Sequence, residues 1–239
     1  MIRCMTRFAV LMAVLPTWFC LGSATAMGVS PILVELSPAR RVASVTLTNP
    51  AASPKSVQAQ LLTWVQQEGI DQYAETDALI VTPVIAQIAA GGTQVFRVAL
   101  RSRATLPVEQ AYRLIFEDVT EEVASPSASN VNLRYRISMP VMSAPLEAGR
   151  PMPRWSLCPA APGKTCIRLD NDGNRRLRLS SLVLEGKEGW RKEVSGAGTV
   201  LAGAWKEWRF DQLPGQNSPT RVSADAEGSL IQGELTPAR

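Results

Sequence analysis

Side chains able to do chemistry are scarce in this 239-residue chain. There is no histidine, which removes the usual general base and the commonest metal ligand. Of four cysteines, Cys4 and Cys20 lie in an apolar N-terminal segment. Cys158 and Cys166 stand close together around Pro159, Pro162 and Gly163. In an exported chain such a pair reads as a disulfide-closed hairpin or loop; a two-cysteine metal site is the weaker option without a histidine to complete it. Asp118, Glu121 and Glu122 cluster at a strand end beside a small polar loop, where solvation is the ordinary explanation. Asp170, Asn171, Asp172 and Gly173 superficially suggest a calcium loop, but the glycine is misplaced for an EF-hand and no closing glutamate follows, so they read as a hairpin turn. There is no GxSxG elbow, P-loop or GxGxxG. The expectation is a protein that is not an enzyme, with no catalytic residue, no metal and no cofactor.

What the chain has instead is alternation. In residues 130–141 (NVNLRYRISMPV) Val131, Leu133, Tyr135, Ile137 and Met139 fall on every second position, with Asn132, Arg134, Arg136 and Ser138 between them. Strand side chains alternate faces, so this is a strand with one apolar and one wet, basic face. It either closes its own domain's core or lends its apolar residues and free edge to another polypeptide.

The elements around it repeat that period. Val34 and Leu36, residues 42–48 (VASVTLT), 56–66, 79–81, 93–100 (TQVFRVAL) and 110–119 (QAYRLIFEDV) read as strands. Trp64 is expected in the core. Proline after Thr82 ends a ladder or marks a cis bond. About seven short strands with turn signals every 8–12 positions are the pattern of an immunoglobulin-like sandwich. Residues 145–153 (PLEAGRPMP) read as a linker. A second all-β pattern follows, with strands over 154–157, 166–169, 200–210 and 228–235, and Leu177, Leu179, Leu182 and Leu184 in its core. Arg175, Arg176 and Arg178 are most simply a solvated strand face.

Arg3 and Arg7, the apolar run over 8–21 and the small residues Ala24 and Ala26 have the form of a secretory signal peptide. Cleavage after Ala26 would remove two of the charges behind the net +4. The sequence pI of about 9.1 therefore overstates any attraction to nucleic acid or acidic lipid, and no segment interleaves basic residues with exposed aromatics. Neither nucleic-acid binding nor stable membrane insertion is expected. The predicted architecture is all-β: residues 1–26 signal, 27–146 and 147–239 two immunoglobulin-like β-sandwich domains joined by a short linker.

In this order and spacing the segments resemble the periplasmic chaperones of the chaperone–usher pilus pathway. The resemblance is carried by SVTLTNP (44–50), IVTPVIAQIAAGGTQVFRVAL (80–100), LPVEQAYRLIFEDV (106–119) and the alternating strand, and in the second half by LDNDGNRRLRLSSLVL (169–184) and VLAGAWKEWRF (200–210). It implies a boomerang of two domains in the periplasm, with pilin subunits and an outer-membrane usher as partners and self-association possible when free. A pilin of this type lacks its last strand. By donor-strand complementation the chaperone would fill the groove with Val131, Leu133, Tyr135, Ile137 and Met139, backbone bonds supplying affinity and pockets selecting side-chain size.

The chain departs from the best-known branch of that family, which holds the pilin's terminal carboxylate with a first-strand arginine and a last-strand lysine. Residues 31–36 (PILVEL) contain no basic residue, and Ser138 stands about where the lysine is expected. The sequence is closer to the archaic, or sigma, branch that assembles spore-coat-protein-U-like pili. Arg113, within an otherwise apolar strand, is the first candidate for a substitute anchor and Arg136 the second; the alternative for each is an arginine snorkelling to solvent. The rival to the whole reading is a secreted structural or adhesive protein that self-associates through its exposed strand edge.

Overall fold

The computed structural model describes residues 26–102, 106–121, 134–187, 189–211, 213 and 218–237. Among them every regular element is a strand. The N-terminal half runs β1 (Gly28–Ser30), β2 (Val34–Leu36), β3 (Val42–Thr48), β4 (Lys55–Gln67), β5 (Ile70–Glu75), β6 (Leu79–Thr82), β7 (Ile85–Ile88), β8 (Thr93–Leu100), β9 (Gln110–Asp118) and β10 (Arg136–Ser143). One sheet has the order β1-β3-β8-β6, the other β2-β10-β9-β4-β5 with β7 also on β4. The Thr82–Pro83 bond is cis, as is Ser30–Pro31.

Alternation explains the core between these sheets. Val45, Leu47, Phe96 and Val98 from one sheet meet Val57, Ala59, Leu61, Leu114, Phe116 and Val141 from the other. Phe96 and Phe116 pack ring on ring at 4.8 Å. Trp64 is buried in a hydrophobic core, as expected, but in a cluster separate from this one. It is on the opposite face of β4 from Leu61, and its burial comes from Met142 and from Leu201 of the second half, with Leu33 packed alongside.

The C-terminal half comprises β11 (Pro153–Cys158), β12 (Thr165–Asn171), β13 (Leu177–Glu185), β14 (Arg191–Val200), β15 (Trp205–Phe210), β16 (Arg221–Ala226), β17 (Ser229–Glu234) and β18 (Thr236–Pro237). Its sheets have the orders β15-β12-β11-β18 and β14-β13-β16-β17, around Ile167, Leu169, Leu179, Leu182, Leu184 and Val222. The single strand expected over 200–210 is in fact the end of β14, a turn and then β15, because Gly203 adopts φ +69° and reverses the chain. Cys158 and Cys166 face each other across β11 and β12 and form the expected disulfide. Glu207 lies beside them, but sulfurs bonded to each other offer no thiolate to a metal. Asn171 is fully buried, its carboxamide donating to the carbonyls of Arg175, Val200 and Leu201. That is a structural tie at the end of β12 rather than an ion ligand.

The two halves meet through specific bonds. The Glu109 N–H donates to the Asn174 carbonyl at 2.9 Å. Gln66 donates to the Thr199 carbonyl and accepts from the Leu201 N–H, both at 2.9 Å.

Candidate functional site: a half-free strand and the cleft beside it

Strand β10 is paired unequally on its two edges. Toward β9 it is antiparallel along its whole length, from Arg136 opposite Glu117 to Ser143 opposite Gln110. Toward β2 the parallel pairing starts only at Val141. Pro140, which has no N–H to give, sits just before that point, as expected for an edge position. Residues 136–140 therefore present one edge with no strand partner among the described residues.

The alternating apolar set is divided by the same boundary. Met139 is 2% exposed and belongs to the core of its own sandwich, which removes it from the set able to enter a partner. The reason is register: Met139 faces Leu114 across the ladder, so both point inward. Ile137 is half-buried and packs against the rim of that core. Tyr135 is half-buried just before the strand, its carbonyl accepting from the Asp118 N–H at 2.9 Å. Val131 and Leu133 lie outside the described residues.

On the outer face of this sheet the two candidate arginines do not converge. Opposed residues share a face, so Arg136, Ser138 and Pro140 lie with Glu117, Ile115 and Arg113 respectively. Four residues of strand separate Arg113 from Glu117, which is about 13 Å. Arg136 is exposed and is 3.9 Å from the Glu117 carboxylate. In water such a pair holds little, and Arg136 fits the solvent-facing alternative. Arg113 is different. It is half-buried, its guanidinium carbon lies 3.9 Å from the centre of the Trp64 ring, and Tyr73 is 6.0 Å away. Its Nε is buried and has no hydrogen-bond partner, and the same is true of Trp64 Nε1. Among the described residues it forms no salt bridge. A cation thus lies over the face of an indole, which attracts it without neutralising it. Trp64, Gln66, Glu109 and Leu201 line a crevice of about 680 Å³, open solvent included, between the two halves on that face.

Sequence reasoning missed a second charged group in the cleft. Arg176, expected on a solvated face, is 5% exposed. Its Nη1 is 2.6 Å from Glu109 Oε2 and its Nη2 is 2.7 Å from Glu35 Oε1, while its backbone N–H donates to Glu109 Oε1 at 2.9 Å. The Arg176 hydrogen bond, aided by the Arg175 and Arg40 charges, holds the Glu35 carboxyl below its ordinary range against the effect of burial. The paired arginines at 175–176 and the glutamate inside LPVEQAYRL were the only sequence signals. Asp118 also departs from its expected solvated state, since it is buried. Burial alone would raise its pKa, but hydrogen bonds from Lys55 at 2.8 Å and from the Thr120 hydroxyl and N–H outweigh it and lower it. Glu121 is exposed, and Glu122 lies outside the described residues.

Residues 26–148 match the family model described as "Pili and flagellar-assembly chaperone, PapD N-terminal domain". The chain belongs to this family. No curated protein matches it by sequence. Among solved structures it is similar to a chain of the CsuC–CsuE chaperone–tip adhesion subunit pre-assembly complex from the archaic chaperone-usher Csu pili of Acinetobacter baumannii. That likeness has 21% identity over 90% of this chain and 100% of that one, with a TM-score of 0.69. It is also similar to a chain of the Salmonella enterica SafA pilin–SafB chaperone complex, at 14% identity over 88% and 96% with a TM-score of 0.64. The E. coli chaperone DraB matches at 16% identity over 88% and 98% with a TM-score of 0.60. At these identities the likeness is one of fold: the two-domain, all-β chaperone architecture expected from the sequence.

Proposed function

We propose that this pilus chaperone works in the periplasm, reached through the signal peptide over residues 1–26. There it captures pilin subunits by donating the front half of β10 and passes them to an outer-membrane usher. The observation that carries the reading is the edge of β10 before Val141, which has no strand partner among the described residues and is continuous with a sequence that keeps its alternation back to Val131. An incoming strand can add to that edge by backbone bonding while alternate side chains fill its groove. With Met139 committed to its own core, the donor set is Val131, Leu133, Tyr135 and Ile137. Each is worth roughly 1.5–3 kcal/mol when fully buried, before the cost of ordering. Arg113, stacked on Trp64 and without a described counter-ion, is the anchor for the subunit's terminal carboxylate. The absence of a basic residue at 31–36 supports placement in the archaic branch. The reading assigns no catalytic role to any residue.

The test is co-expression with a candidate pilin in a bacterial periplasm, followed by purification through a tag on this chain. Leu133→Asp is the informative variant, because Ile137 also supports its own domain and its loss would confuse capture with folding. The expected result is a 1:1 complex that Leu133→Asp abolishes while the variant keeps its melting temperature. Capture undiminished by Leu133→Asp would refute the donor strand, and a chain found built into the finished fibre would favour the structural rival.

A further inference from the structure

The strand positions beside Arg113 hold no second cation, since Leu33 stands on β2's approach and Pro140 on β10. Leu33 packs beside Trp64, and Pro140 stands directly opposite Arg113. What Arg113 does have is an aromatic pair. Tyr73, on the edge strand β5, is opposite Trp64 in the β4–β5 ladder. Arg113 reaches across the indole toward it. The Tyr73 hydroxyl donates to Asp71 Oδ2 at 3.4 Å, well beyond the usual length of about 2.7–2.8 Å for an O–H···O bond. The other Asp71 oxygen already accepts from Gln66 Nε2 at 2.8 Å, and Gln66 is fixed by Thr199 and Leu201 of the second domain. Asp71 is therefore held in place, and the tyrosine hydroxyl is stretched toward it rather than satisfied by it. Burial, and then the Asp71 charge, raise the Tyr73 pKa, with Arg113 pulling the other way, so the hydroxyl keeps its proton at neutral pH.

We propose that Tyr73 is the second donor to the carboxylate that Arg113 anchors, its hydroxyl leaving the long bond to Asp71 for the incoming anion. The inference rests on the anchor reading above. The guanidinium carbon lies 3.9 Å from the centre of the Trp64 ring and 6.0 Å from that of Tyr73, so a carboxylate taking two parallel N–H···O bonds from Arg113 would arrive beside Tyr73. A neutral donor thus takes the place filled by a second basic residue in the better-known branch.

The probe is a synthetic peptide of the last strand of the captured pilin, prepared as the free acid and as the C-terminal amide, titrated into the full mature chain. For the unaltered protein the acid should bind at least about tenfold more tightly than the amide, the scale of a hydrogen bond to a charged group. Tyr73→Phe keeps the ring and removes the hydroxyl. It should weaken the acid roughly five- to tenfold and leave the amide unchanged, the discount reflecting a half-exposed site. Equal weakening of acid and amide would overturn the proposal, because it would mean a lost packing contact. No effect of Tyr73→Phe, with Arg113→Ala still erasing the preference for the acid, would overturn Tyr73 alone and leave the anchor standing. No preference for the acid in the unaltered protein, or one that survives Arg113→Ala, would overturn both.

Discussion

Arg176 gives the sharpest numerical contrast between a surface reading and the structure. As a solvated strand residue it could be replaced by alanine for less than about 0.5 kcal/mol. In the fold it joins the two halves of the molecule, with its own side chain and that of Glu109 each only 4% exposed. Arg176→Ala leaves the Glu109 carboxylate buried, and removing one partner of a buried pair costs about 3–5 kcal/mol. Two groups soften the loss. The backbone N–H of residue 176 still donates to Oε1, and Arg175 Nε is 3.9 Å from Oε2, close enough to move in. Glu35 is 44% exposed, so water can take over most of its share. The low end, about 3 kcal/mol, is the expected cost. At 2–4 °C per kcal/mol for a chain of this size, that is a fall of about 6–12 °C in melting temperature.

The assay is calorimetry and urea unfolding of the mature chain, with a second variant to separate charge from packing. The double change Glu109→Leu with Arg176→Met removes both charges while keeping volume, and buried pairs replaced in this way are often neutral. It should be less destabilising than Arg176→Ala alone. A loss below about 0.5 kcal/mol for Arg176→Ala, or a double variant as costly as its two single changes added, would refute the buried-pair argument.

Acid should loosen the molecule through two carboxylates whose folded pKa values are lowered, Glu35 and Asp118. A lowered folded value means stability that is complete above the ordinary carboxylate range and lost as pH falls through the folded values. Urea midpoints should therefore decline from pH 6 toward 3, and Asp118→Asn should flatten that limb; an unchanged slope in the variant would count against the Lys55–Asp118 pair. Gly69 sits at φ +75°, and a Cβ there would come within 2.7 Å of the Trp205 ring. Gly69→Ala should cost more than about 1 kcal/mol, and less in a Trp205→Ala background; equal costs in both would mean that only the backbone angle matters.

Elements that bury one face were legible. Strand β8 was read from TQVFRVAL at its observed bounds, since Phe96 and Val98 face inward while Val95 and Arg97 do not. Strand β5 (IDQYAE) was not read, because every residue is exposed and neither face carries an apolar period. β14 (RKEVSGAGTV) hides its pattern behind charges and glycines. The site divides in the same way. Arg113 stood out as a cation in an apolar strand, but its stacking partners depend on the registers that set Leu62 opposite Arg113 and Trp64 opposite Tyr73. Arg176 finds Glu109 across 67 positions and Glu35 across 141. No local pattern carries pairings of that range.

The division of β10 bears directly on how a donor strand is presented. A one-residue slip of a strand turns every side chain to the opposite face, so a free edge is useful to a partner only when its register is fixed elsewhere. Here it is fixed by the committed half: Met139 and Val141 lie in the sandwich core, and eight residues from Arg136 to Ser143 pair with β9. Slippage would pull Met139 and Val141 out of that core and put Ser138 and Pro140 in their place, a cost of several buried side chains at roughly 1.5–3 kcal/mol each. On the proposed reading, the burial that removes Met139 from the donor set also sets the direction in which Ile137 points, so that the core of the chaperone would specify the face offered to a subunit.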